Sequence, residues 1–108
     1  MNLKFIETIT FQKAWKEIGL SDNDLFELEN ILLKNPNTGR IITGSGGARK
    51  IRFEALGKGK RGGARVIYVN IIIHESIYFL YAYPKSIKDD LTDNELKNIK
   101  KAIQLLKS

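Results

Sequence analysis

Apolar residues recur along the chain in two rhythms, one near 3.6 residues and one of two. Residues 3–9, Leu-Lys-Phe-Ile-Glu-Thr-Ile, are short and β-rich and predict a first strand. Phe11, Ala14, Trp15 and Ile18 then follow helical spacing, with Gly19 placed to close the helix. Ser21 is a suitable N-cap for a second helix, whose first turn carries Asp22 and Asp24, where the helix dipole favours anions. Leu25, Leu28 and Leu32 form its apolar stripe, Phe26 and Ile31 widen it, and Pro36 ends it. Residues 37–47 are polar and glycine-rich around a short Arg-Ile-Ile-Thr stretch, a loop with room for one short strand.

Beyond that loop the period changes to two. Residues 48–55 alternate, with Lys50, Arg52 and Glu54 on one side and Ile51, Phe53 and Ala55 on the other. Residues 56–63 are a glycine-rich connection, and 64–73 are a long apolar strand expected at the centre of a sheet. A turn at 74–76 leads to an aromatic strand over 77–83 that Pro84 stops. Thr92-Asp-Asn-Glu95 is a capping box, and Leu96, Ile99, Ile103 and Leu106 continue at helical spacing. The expected fold is α+β: a single domain over 1–108 in the order β-α-α-β-β-β-α, with helices packed against a small antiparallel sheet.

Composition narrows the chemistry. With no cysteine, disulfides, thiolate metal sites and a thiol nucleophile are excluded, and one histidine makes a His-rich metal site unexpected. No metal or cofactor is called for. The N-terminus lacks an apolar core and a small-residue cleavage site, and no apolar run approaches membrane-spanning length. A cytoplasmic protein with no membrane partner is the expectation.

The net charge is +6, and its placement matters more than its size. Between Arg49 and Arg65 stand seven basic residues and one acid, Glu54; the rest of the chain has eleven of each sign. A positive charge confined to one segment points to a polyanion partner. Gly57-Lys-Gly-Lys-Arg-Gly62 formally matches G-x-G-x-x-G, but a dinucleotide site needs a helix after the loop and here a strand follows. Pairing 48–55 with 64–73 across this loop sets Glu54 opposite Arg65 and Arg52 opposite Ile67. Lys50, Arg52, Glu54 and Arg65 then share a face. Glu54 pairs with Arg65 or serves as a base; Lys50 and Arg52 have no counter-charge, as a phosphate site requires. By parity Arg49 points the other way. His74 reads as a turn residue at the end far from the basic loop, and Trp15 as core. Most strand tyrosines belong to the core; Tyr83, beside Pro84-Lys85, is the best placed to stack on a base.

The sequence also resembles a known family, the RelE/ParE superfamily of bacterial toxins, in particular its HigB-like RelE-type branch. The resemblance rests on Ala48-Arg-Lys-Ile-Arg-Phe53, on Gly57-Lys-Gly-Lys-Arg-Gly-Gly-Ala-Arg-Val-Ile-Tyr68, on Tyr81-Ala-Tyr-Pro-Lys85 and on Lys88-Asp-Asp-Leu-Thr92. It implies a RelE-like fold and a ribosome-dependent, metal-independent endoribonuclease that cuts translated mRNA by attack of the 2′-hydroxyl. It implies as partners mRNA, the ribosome with its RNA, and a cognate antitoxin with a helix-turn-helix domain. The branch pattern places catalytic cations at Lys50, Arg52, Arg65 and Lys85, and Lys58, Lys60 and Arg61 would hold RNA backbone. Where well-known members carry a tyrosine or histidine near the C-terminus, this sequence has Asp89, Asp90 and Leu91, and the general base is unassigned. A non-catalytic RNA- or ribosome-binding module and a ParE-like gyrase inhibitor are the alternatives.

Overall fold

A computed structural model of the chain describes residues 2–54 and 63–108. Its elements are β1 (Lys4–Glu7), α1 (Ile9–Ile18), α2 (Asp22–Lys34), β2 (Arg40–Ile41), β3 (Arg49–Phe53), β4 (Ala64–Ile71), β5 (Ser76–Pro84) and α3 (Asp93–Lys107). The strands form one sheet in the order β1-β5-β4-β3-β2, so the apolar β4 is indeed central. β2 to β5 run antiparallel, but β1 joins β5 in parallel, so the sheet is mixed rather than purely antiparallel. A hairpin forces its strands antiparallel. No hairpin joins β1 to its neighbour β5: the chain between them runs through both helices and through β2, β3 and β4, so the parallel sense is open to it.

Local chemistry fixes the element ends. Thr8 leaves the first strand because its hydroxyl accepts from the Phe11 amide as the N-cap of α1. Gly19 closes that helix at φ 89°, a left-handed conformation that costs glycine nothing. Ser21 and Asp24 make a reciprocal capping box on α2, and Thr92 and Glu95 make one on α3. The run Ile71-Ile72-Ile73 does not continue as strand: residues 72–74 form a single 3₁₀ turn that Glu75 closes at φ 49°. Propensity alone cannot see that the chain must reverse here to pair β5.

The sheet has a core on each face. Phe11, Trp15, Leu25, Leu28 and Leu32 from α1 and α2 pack on Ile51, Phe53, Val66, Tyr68, Ile77 and Phe79. Ile99 and Ile103 of α3 pack on Ile67, Val69, Ile71 and Leu80 of the other face. Tyr68 is fully buried; its hydroxyl accepts from the Gly39 amide and donates to the Pro36 carbonyl, both at 2.9 Å. Trp15 lies in the core as expected, its indole N–H donating to the Ser21 carbonyl. No helix among the described residues is long and apolar enough to cross a membrane.

The register between β3 and β4 differs from expectation. Arg52 faces Arg65, Lys50 faces Ile67, and Phe53 faces Ala64 in the last pair, so Glu54 lies beyond the ladder and not opposite Arg65. Gly63 explains the shift. It holds φ 62° and passes so near the end of β3 that a Cβ would stand 2.5 Å from the Phe53 carbonyl oxygen. That close approach draws the start of β4 against Phe53. Because the slip is two residues, every side chain keeps its face.

Candidate nucleic-acid interface

Alternation sends Ile51 and Phe53 into the core under α1 and α2, so Lys50 and Arg52 project from the α3 side of the sheet. Two rows cross it there: Arg52, Arg65 and Tyr83 in one, Lys50, Ile67 and Tyr81 in the next. The packed side chains of α3 cover Ile67 and the apolar positions beyond it. Toward the β3–β4 connection the face carries cations instead. Arg52 is exposed, Lys50 half-buried, and Arg65 buried with an interaction of its own. Lys85 stands exposed just past β5, its amide donating to the Gly63 carbonyl at 3.2 Å. Three of the four expected catalytic positions thus share one face, and the backbone of the fourth adjoins the same sheet end. No side-chain hydrogen bond or ion pair is made by Arg52 or Lys85 among the described residues. Lys58, Lys60 and Arg61 lie outside the described residues.

The segment from Lys85 to Thr92 borders this face and brings in groups that sequence alone did not place. Lys50 donates to the Asp90 carboxylate at 2.7 Å and faces the Asp89 carbonyl at 3.4 Å. The Tyr83 hydroxyl donates to the same Asp89 carbonyl at 3.0 Å. Lys88 pairs with Glu95 and holds its ammonium over the rings of Tyr81 and Tyr83. The compact spacing from Pro84 to the cap at Thr92 was the available clue, since so short a link has to run along the end of the sheet. Its acidic pair read only as a departure from a family pattern.

These contacts set protonation. The hydrogen bond and charge of Lys50 hold the Asp90 carboxyl below its ordinary value. Burial first, and then the Asp90 charge, push Tyr83 up to about 12, so its hydroxyl is a donor and not a base near neutrality. Burial alone would lower Lys88, but Glu95 more than offsets it and the ammonium is held protonated. Tyr83 itself is buried, 2% exposed, so its ring offers no open face to a base in this conformation. His74 lies in the 3₁₀ turn before β5, at the far end of β4 from the cations, its Nδ1 3.0 Å from the Tyr78 hydroxyl. Arg49 points away as expected, donating to the Asn37 and Gly39 carbonyls. The arrangement can hold phosphate oxygens on Lys50 and Arg52 and donate protons.

A family model for the RelE toxin of the RelE / RelB toxin–antitoxin system matches residues 3–108. The chain belongs to the RelE toxin family. Its fold is similar to that of a doubly arginine-to-alanine mutant of the E. coli toxin RelE in the free state. That match has a TM-score of 0.60 at 14% identity, covering 94% of this chain and 97% of the other. It is also similar to a chain of the intact E. coli RelBE toxin–antitoxin complex, with a TM-score of 0.53 at 16% identity over 83% of this chain and 100% of that one. At these identities the likeness lies in the fold, and the mixed sheet with three helices is the RelE arrangement. Within this RelE framework the central strand, the basic β3 and the capped last helix fall where the residue pattern put them; the Lys50–Asp90 contact is the addition.

Proposed function

We propose that the chain is a ribosome-dependent endoribonuclease of HigB-like RelE type that cuts translated mRNA and is neutralised by a cognate antitoxin. The observation that carries the reading is the cationic end of the α3-side sheet face, in a chain of RelE-toxin family membership. The 2′-hydroxyl oxygen of one nucleotide attacks the adjacent phosphorus, the bond to the 5′-oxygen of the next breaks, and a 2′,3′-cyclic phosphate and a 5′-hydroxyl result. One proton leaves the 2′-oxygen and one joins the leaving oxygen, and no metal is needed. Lys50, Arg52 and Arg65 stabilise the charge that grows on the phosphoryl oxygens. Lys85 protonates or neutralises the leaving oxygen. Lys58, Lys60 and Arg61 anchor the RNA backbone, most of it ribosomal. The whole chain acts as one cytoplasmic domain. The likeness to the RelBE complex supports an antitoxin partner, to which the proposal adds a helix-turn-helix domain.

The test is primer extension on a translated reporter mRNA after the chain is expressed, compared with alanine variants at Lys50, Arg52, Arg65 and Lys85. New 5′ ends within translated codons, lost in each variant and suppressed by the antitoxin, are the expected result. Intact mRNA alongside growth arrest would refute it. A non-catalytic RNA-binding module is the second reading, favoured by the engagement of Lys50 with Asp90. It requires variants that lose binding with no cleavage to lose.

A further inference from the structure

Lys50 is a cation of the open face whose ammonium already has an anion on it. The Asp90 carboxylate sits 2.7 Å away, with side-chain exposures of 26% for Lys50 and 81% for Asp90. The carboxylate therefore lies on the solvent side of the ammonium, the side from which a ligand arrives. The backbone that presents it is tied down, because the Asp89 carbonyl accepts from Tyr83 and is turned toward Lys50. To an ammonium, a carboxylate and a phosphodiester look alike: each offers two oxygens sharing one negative charge. We infer that Asp90 is a built-in stand-in for the substrate phosphate, occupying on Lys50 the place that an RNA phosphodiester takes and thereby setting the affinity of this face for RNA. The inference rests on the RNA-binding reading above and deepens it.

Exchange needs no rearrangement of the fold. A side chain 81% exposed rotates into water while Tyr83 keeps hold of Asp89. An exposed ion pair is weak and screened, so a phosphate reaching Lys50 with Arg52 beside it displaces the carboxylate readily. The other charged groups of the neighbourhood do not duplicate this role. Lys88 is committed to Glu95, and Arg52 and Lys85 hold no carboxylate among the described residues. Among the described residues, Asp90 thus tempers Lys50 alone.

Fluorescence anisotropy of the intact chain with a labelled 2′-O-methyl oligoribonucleotide, which cannot be cleaved, tests the idea across a salt series. Asp90→Asn is expected to tighten binding about threefold at low salt, the factor carried by one exposed ion pair. The log–log salt slope is expected to stay nearly the same, because a phosphate reaches Lys50 in both chains and only its competitor is lost. Asp89→Asn, as a control for net charge, gives a clearly smaller gain in affinity. In a Lys50→Ala background the Asp90→Asn effect vanishes. Unchanged or weaker binding by Asp90→Asn, or an equal gain without Lys50, overturns the inference. A second measurement is independent of RNA. In carbon-detected NMR, inorganic phosphate shifts the Asp90 carboxyl signal in the wild-type chain and not in Lys50→Ala; no shift in either overturns the exchange. RNA binding that obeys this scheme without mRNA cleavage would sink the enzyme reading while leaving Asp90 in place.

Discussion

Replacing Arg52 with glutamine separates what the cationic face contributes to function from what it costs the fold. Arg52 stands directly opposite Arg65 on the central strand. Like charges directly opposite in an antiparallel pair destabilise it by about 0.2–1 kcal/mol. Arg52 is exposed, and Arg65 is buried with an interaction of its own, so screening and that interaction bring the figure to the low end, about 0.2–0.5 kcal/mol. Glutamine keeps most of the aliphatic stem and removes the charge. For a chain of this size the melting temperature should rise by about 1–3 °C at low salt.

Function should move the other way. On the RNA-binding reading, loss of one phosphate contact flattens the salt dependence of single-stranded RNA binding by about 0.7 in log–log slope. Loss of one fixed donor to a charged transition state lowers cleavage on ribosomes by about 10²–10³. Thermal melts by circular dichroism at low and high salt, together with anisotropy and primer extension, read all three. The melting gain should shrink as salt rises. A variant that melts several degrees lower at low salt would show that Arg52 holds the fold together. A stabilised variant with an unchanged salt slope would show that it does not touch RNA. Either result refutes the reasoning.

Three further outcomes follow from the same geometry. Gly63→Ala forces a Cβ against the Phe53 carbonyl at a left-handed residue, and should cost about 1–3 kcal/mol in urea unfolding while weakening RNA binding through the displaced hairpin end. Tyr83→Phe should remove the highest step, near about 12, from the alkaline absorbance titration of the tyrosines. Its pKa is raised on folding, so its contribution to stability is complete below pH 10 and is lost as pH climbs toward about 12; a wild-type stability flat over that window would contradict the assignment. Glu95→Ala removes both the reciprocal cap on the Thr92 amide and the partner of Lys88, and should destabilise by about 1–2 kcal/mol in chemical denaturation.

What could be read from the residues was whatever depends on period and cap. Alternation placed Lys50 and Arg52 on one face whatever the register, because a slip of two leaves parity intact. Ser21 and Thr92 announced their helices through side chains three residues away. What could not be read depends on distances that no local pattern encodes. The Glu54–Arg65 pairing failed because a close pass of Gly63 against Phe53, not the length of the apolar run, sets where the ladder ends. The parallel sense of β1 was hidden because its partner is β5, two helices and three strands further along the chain. Tyr83 was judged by its neighbours in sequence, whereas its neighbours in space, Arg65, Lys88 and Asp89, bury and anchor it.

One network explains why the face is open where it is. α3 supplies the apolar cover of its side of the sheet, through Ile99 and Ile103, and its start is fixed at Thr92 by Glu95. Glu95 also holds Lys88, and Lys88 lies over Tyr81 and Tyr83, so the helix start and the segment before it are fastened to the same two strand residues. The capping box that begins the helix therefore also anchors the short segment that carries Asp90 to Lys50, and a weakened cap should loosen the Asp90–Lys50 contact together with the first turn of α3.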